Sequence, residues 1–311
     1  MNMIISALAQ GLIWSLLALG LYVSFRVLNI ADMSTEGTFT LGGAVGVQCI
    51  TLGLNPFIAV LIAIVAGAIA GGVTGFLITK LNIPSLLAGI LTMTGLYSVN
   101  LRVMGKANIN LLGMETIYSG IKKWNLPRNM DTILVGVLVV GVIIFIYTLF
   151  FKTEFGQALI ATGDNQEMAR SLGISTNVMK TIGLMMSNGI IALAGAVIAQ
   201  NNGYADIQMG IGAIVIGLAS IIIGEVLFSH TSFIIRVGSL AIGSILYRII
   251  MVLVLEAGLD PNDFKLISAI LLAIFLALPK IKDLFYVRQY RKKLSKHTRA
   301  ATQKLPEKGG K

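Results

Sequence analysis

An all-α protein threaded repeatedly through a bilayer is the fold class that this 311-residue sequence predicts, and three observations carry it. Mean hydropathy is +0.85. Residues of hydrophobic type make up 56% of the chain against 12% charged, which lies outside the range of soluble globular domains. Uncharged runs also recur at a length that covers the hydrocarbon core, for which a helix needs about 20 apolar residues.

Taken in order, charges are absent from 1–25, 37–55, 53–79, 81–101, 132–151, 181–200 and 207–224. Two more segments, 232–255 and 264–279, are apolar apart from Arg236, Arg248 and Lys265. The expectation is about nine membrane segments in one membrane domain over 1–279, the second segment Gly-rich and broken or re-entrant. The first reads as a membrane helix and not as a cleavable leader, because Met1–Ala9 lacks a basic start and the apolar run continues to Phe25.

The net charge of +10 is concentrated at one end. Residues 280–311 hold 11 Lys and Arg against Asp283 and Glu307, whereas the other 279 residues hold 13 against 12. That distribution argues against a nucleic-acid partner and for a basic tail on the cytoplasmic side, near anionic membrane lipid. With nine crossings the N-terminus is then outside, the loop 104–131 is external and the loop 152–177 is cytoplasmic. Lys106, Lys122, Lys123 and Arg128 in the external loop run against the charge rule, so the tail carries this orientation.

The cytoplasmic loop contains the longest moderately polar stretch, FGQALIATGDNQEMARSLGIST, residues 155–176. Asp164 and Glu167 have the spacing of a capping box, and Gly173 supplies a left-handed stop. The helix between them is about 12 Å long at 1.5 Å per residue, too short to cross the membrane. Met168, Ala169 and Leu172 are available for one side and Gln166, Glu167, Arg170 and Ser171 for the other. On pattern alone this is an amphipathic connector or a docking element.

The run GQALIATGDNQEMARSLGI resembles the cytoplasmic loop of bacterial ATP-binding-cassette importer permeases of the branched-chain amino acid and ribose permease superfamily. In that loop the pattern G-x-A-x-x-A-x-G-x-N-x-x-x-A-x-x-x-G-I forms a coupling helix. LNIADMSTEGTFTLGGAV (28–45), IIIGEVLF (221–228) and GLDPNDFKLISAILLAIFLALP (258–279) resemble one branch, paired with lipoprotein binding proteins for tryptophan-like or other amino-acid-type solutes. The resemblance covers nearly the whole chain, least of all the tail. It implies a type II importer permease: a homodimer with the path at its interface, two ATP-binding subunits on the cytoplasmic side and an external solute-binding protein. Gly163, Asp164, Asn165, Gln166, Glu167, Met168, Ala169, Arg170, Leu172 and Gly173 would then couple to the ATPase. The implied solute is an amino acid, aromatic in that branch, with a sugar or nucleoside as the alternative from the wider superfamily. The implied location is the bacterial cell membrane.

This chain has no G-x-x-x-x-G-K-[ST] motif, so ATP and Mg would be used by the partner ATPase and no cofactor is expected here. Asp32, Ser34, Thr35, Glu36, Thr38 and Thr40 form a polar run that must face protein or a water-filled cavity. They line the path or its mouth, or they cap the next helix. Asn100 and Asn188 are interhelical hydrogen-bond partners or solute contacts. Gly67, Gly71 and Gly75, spaced by four, allow close helix packing inside the subunit or between copies. Ala31-Asp32 and Ala205-Asp206, five segments apart, suggest an inverted repeat. For Glu225 and Arg248 the expectation is a structural ion pair or snorkelling. Cys49 is alone and His230 and His297 are far apart, so neither a metal site nor a catalytic constellation is expected. A secondary transporter working without an ATPase is the other class, and the cytoplasmic loop argues against it.

Overall fold

In the computed structural model of the chain, residues 2–122, 127, 129–228, 233–258, 263 and 265–277 are described. The basic tail 280–311, Lys123, Arg128, His230 and His297 lie outside them. The first helix, α1 (Asn2–Tyr22), runs on into a π-helical turn, Val23–Val27. Then follow α2 (Thr35–Thr51), α3 (Pro56–Thr79), α4 (Ser85–Met104), β1 (Asn108–Asn110), α5 (Ser119–Lys122) and α6 (Met130–Phe150). After the short helices α7 (Glu154–Asp164) and α8 (Gln166–Ser171) come α9 (Thr176–Asn202), β2 (Tyr204–Asp206), α10 (Ala213–Leu227) and α11 (Phe233–Glu256). The last described helix is α12 (Lys265–Ala277).

Against the nine expected crossings, six helices have spanning length and apolarity: α1 with its π turn, α3, α4, α6, α9 and α11. The other three hydrophobic segments hold α2, α10 and α12, of 17, 15 and fewer residues than a full span needs. The local cause is a polar run before α2 and a glycine turn before α10. A break over 28–34, with Asn29 at φ 52, separates α1 from α2, and Gly212 at φ 87 starts α10.

The helices α1 and α9 are the central pair, with 61% and 78% of their apolar windows buried against 28% for α4 and α6. Around them the packing is exchanged between the two ends of the chain: α9 lies against α2 and α3, and α1 lies against α10 and α11. The Gly67, Gly71 and Gly75 stripe faces α9 within this subunit. A Cβ on Gly67 would stand 2.5 Å from the Asn188 carbonyl oxygen, and one on Gly75 would stand 2.9 Å from Thr181 Cα. With no lipid-excluding force between helices inside a bilayer, such backbone approach is what holds α3 to α9.

The 104–131 segment is more than a connector. β1 pairs antiparallel with β2, Ile109 opposite Ala205, so this loop is tied to the chain beyond α9. Ala31-Asp32 and Ala205-Asp206 share a local turn as well. In each, the Asp Oδ1 accepts the amide two residues on, Ser34 at 2.9 Å and Gln208 at 2.8 Å.

Candidate functional site

Two groups of side chains stand out, one at the α7–α8 end and one where α2, α9 and α10 meet. At the first, Thr153 caps α7 by accepting from Gly156 N at 3.2 Å. α7 buries Gly156, Leu159 and Thr162. It runs against the end of α1: Asn29 Nδ2 donates to the Gly163 carbonyl at 3.0 Å, and a Cβ on Gly163 would overlap the Val27 carbonyl oxygen. Leu28 and Leu159, both buried, close over Gly183 of α9.

The capping-box expectation is corrected here. α7 continues through Asp164, and Asn165 is the cap of α8, its side chain accepting from Met168 N at 3.0 Å. Asn caps as well as Asp does, and the one-residue shift puts Glu167 at the second helical position, where it cannot complete the box. The expected division of faces is corrected too. α8 buries Ala169 alone, whereas Met168 and Leu172 are 48% and 69% exposed. Gly173, at φ 82, ends the helix, with Ile174 N donating back to Ala169 O at 3.0 Å. Arg170 Nε donates to Thr176 Oγ1 and Lys180 Nζ to Gln166 Oε1, at 2.9 and 2.8 Å, fixing α8 to the first turn of α9. Asp164, Asn165, Gln166, Glu167 and Arg170 are exposed. The result is a small, firmly mounted knob that shows solvent two large apolar side chains among polar ones.

The second group is buried. Asp32 has no exposed surface, and its carboxylate accepts from Ser34 N, Ser34 Oγ at 2.5 Å and Asn188 Nδ2 at 2.7 Å. Thr35 Oγ1 donates to the Asp32 carbonyl at 2.9 Å. The structure thus joins Asp32, Ser34, Thr35 and Asn188 in one network. Asn100 reaches α2 separately, donating to the Gly37 carbonyl at 3.1 Å, and Thr38 Oγ1 and Asn100 Oδ1 are buried without partners. Glu36 is only partly buried, and its Oε1 accepts from Gly212 N at 2.9 Å. It therefore caps α10, a helix far away in sequence, and not the helix in which it sits.

Sequence reasoning missed two features. Arg26, at the π turn, is ion-paired with Glu225 of α10. Glu225 is thus in a structural ion pair, as expected, with a partner 199 positions away that no local pattern signals, whereas for Arg248 the expectation is corrected. Arg248 instead lies over the ring of Trp14, 4.5 Å from its centroid. The signal available was Trp14 itself, the one tryptophan of the uncharged run 1–25.

Comparison with known proteins gives the family. Residues 3–278 match the family described as branched-chain amino acid transport system, permease component. A tyrosine transport system permease protein of Clostridioides difficile is 41% identical over 277 residues, 89% of this chain and 91% of that one. An autoinducer 2 import system permease protein of Salmonella paratyphi B is 29% identical over 68% of this chain and 59% of its own length. Among solved structures, an inward-facing ABC transporter of metal-chelate type aligns over 90% of this chain and 85% of its own, with TM-score 0.50 and 14% identity, a likeness of fold alone.

Proposed function

This chain belongs to the family of branched-chain amino acid transport system permease components, and from that premise we propose that it imports an amino acid of tyrosine type. It is the transport subunit of an ABC importer, and the chemistry of ATP belongs to a separate subunit. The solute reading is supported by the likeness to the tyrosine permease, which is stronger and longer than that to the autoinducer permease. A sugar-type solute is the second reading on the latter ground.

The observation that carries the mechanism is the mounting of α7–α8. A knob with Met168 and Leu172 exposed suits a groove on an ATPase, and the contact of Gly163 with Val27 passes its motion into α1. In this reading residues 163–173 are the coupling element, 152–177 is cytoplasmic, 104–131 is external and 280–311 is a cytoplasmic tail. The N-terminus is outside the cell membrane. Two copies form the path, each with one ATP-binding subunit, and an external binding protein delivers solute. The exchanged packing of α1 and α9 fits an inverted repeat rocking about its centre. Asp32, Ser34, Thr35, Thr38, Asn100 and Asn188 form the wall behind the path, and Glu36, where α2 meets the start of α10, reaches it.

The test is recovery of the chain from its native membrane in mild detergent, wild type against Glu167→Arg with Arg170→Glu. A Walker-type ATPase is expected with the wild type and lost or uncoupled in the variant. Absence of any ATPase from the wild type, or an unchanged variant, would remove the coupling assignment. Uptake of labelled tyrosine by the reconstituted importer tests the solute.

A further inference from the structure

We propose that Arg248, held on the face of Trp14, is the group that takes the carboxylate of the transported solute inside the membrane; this rests on the amino-acid reading above. Three observations lead there. The guanidinium is deep. Trp14 stands beside the midpoint of the span Met3–Val27, and Arg248 is about 12 Å from the Glu256 end of α11 at 1.5 Å per residue. Helical side chains lean toward the N-terminus of their helix, here away from that nearer end, so Arg248 does not snorkel to it.

The cation is also without an anion. Its Nε is enclosed and has no hydrogen-bond partner, and among the described residues no carboxylate pairs with it. The Trp14 face compensates the charge in part. A lone cation at this depth marks a solute or ion route more often than a structural element.

Finally, a second copy of the chain has little to offer it. Among the described residues, the acidic groups in or next to the apolar helices α2 and α10 are Asp32, Glu36 and Glu225. Asp32 has no exposed surface and three donors, and Glu225 is bound to Arg26. Glu36 remains, holding one amide. Apart from Glu36, these described residues thus offer Arg248 no free anion, and the carboxylate of an amino-acid solute supplies one, while the Trp14 ring, stacked on Phe39, backs the guanidinium. Arg248 as a whole residue is only partly buried, while its Nε is enclosed.

The experiment uses the assembled importer in lipid nanodiscs and in vesicles. With Trp124→Phe in the background, Trp14 is the remaining tryptophan of this chain. Acetate is titrated as a carboxylate probe, with acetamide as the neutral control, and the change in Trp14 emission is read against an ATPase and binding protein freed of tryptophan. Acetate is expected to shift the emission, acetamide to leave it, and Arg248→Gln to abolish the response. A response that appears only after Glu36→Gln would mean that Arg248 pairs with that residue of another copy, and would overturn the proposal. So would no response in any form.

In vesicles, Arg248→Gln should lower the maximal rate of tyrosine uptake about tenfold, the worth of one charged hydrogen bond, with Arg248→Lys much closer to wild type. The thermal transition and basal ATP hydrolysis should hold in both. Equal uptake by Arg248→Gln, or joint loss of assembly in both variants, would overturn the assignment. Absence of tyrosine uptake in the wild type would count against the amino-acid reading alone, because the acetate titration does not depend on it.

Discussion

Asp32 is held in a fully buried site by its donors. A buried carboxylate is costly unless its lone pairs are filled, and here Ser34 N, Ser34 Oγ and Asn188 Nδ2 fill them. Replacing Asp32 by Ala leaves those donors unsatisfied, which costs about 1–3 kcal/mol for each group stranded. We expect Asp32→Ala to lower the thermal transition of the purified protein markedly and Asp32→Asn to lower it less, since the amide oxygen still accepts. An unshifted transition in Asp32→Ala would show that the network does not stabilise the fold. Much of this network was legible: the polar run 32–40 and the two asparagines stand out against apolar sequence. What was not legible was the pairing, because Asn188 meets Asp32 across 156 positions and Glu36 meets Gly212 across 176. Short-range pattern carries no information about such partners.

At the scale of elements, hydropathy located every apolar helix, and the break before α2 was visible in its polar run. Helix lengths were less visible. The shortness of α10 depends on Gly212 in a left-handed conformation, and a Gly-rich run does not say which glycine makes the turn. The cap of α8 slipped by one residue for a similar reason: Asp164 and Asn165 are both good caps, and the choice was made by how far α7 continues. The α3 stripe had an unambiguous spacing but an ambiguous target, which the fold identifies as α9. At Gly71 a Cβ would overlap the Leu184 carbonyl oxygen, so the backbones must part to admit one. Gly71→Leu is expected to destabilise the protein by about 1–3 kcal/mol through overpacking. The control is Gly95→Leu on α4, where a Cβ meets nothing within 4 Å and the thermal transition should hardly move. Equal behaviour of the two variants would place the tight contact elsewhere.

Across the whole molecule, the proposed coupling element meets the contact between the two ends of the chain, and in that proposal nucleotide-driven movement passes there. α7 presses on Val27, which closes the π turn, and the same turn carries Arg26 to Glu225 of α10. One short segment therefore connects the α7–α8 knob to α1 and to α10. Arg26 and Glu225 retain 48% and 24% side-chain exposure, so the pair should add only about 0–1 kcal/mol to stability. Its effect is expected in coupling instead. Either reversal alone, Arg26→Glu or Glu225→Arg, sets like charges against each other and should raise the ATP hydrolysed per solute imported. The double reversal restores attraction and should bring that ratio back toward wild type, with all forms melting at nearly the same temperature. The measurement is uptake and hydrolysis together in vesicles. If the single reversals couple normally, or the double reversal remains as uncoupled as either single, movement passes from α7 to the membrane helices by the Leu28–Leu159 packing over Gly183 and not through this pair.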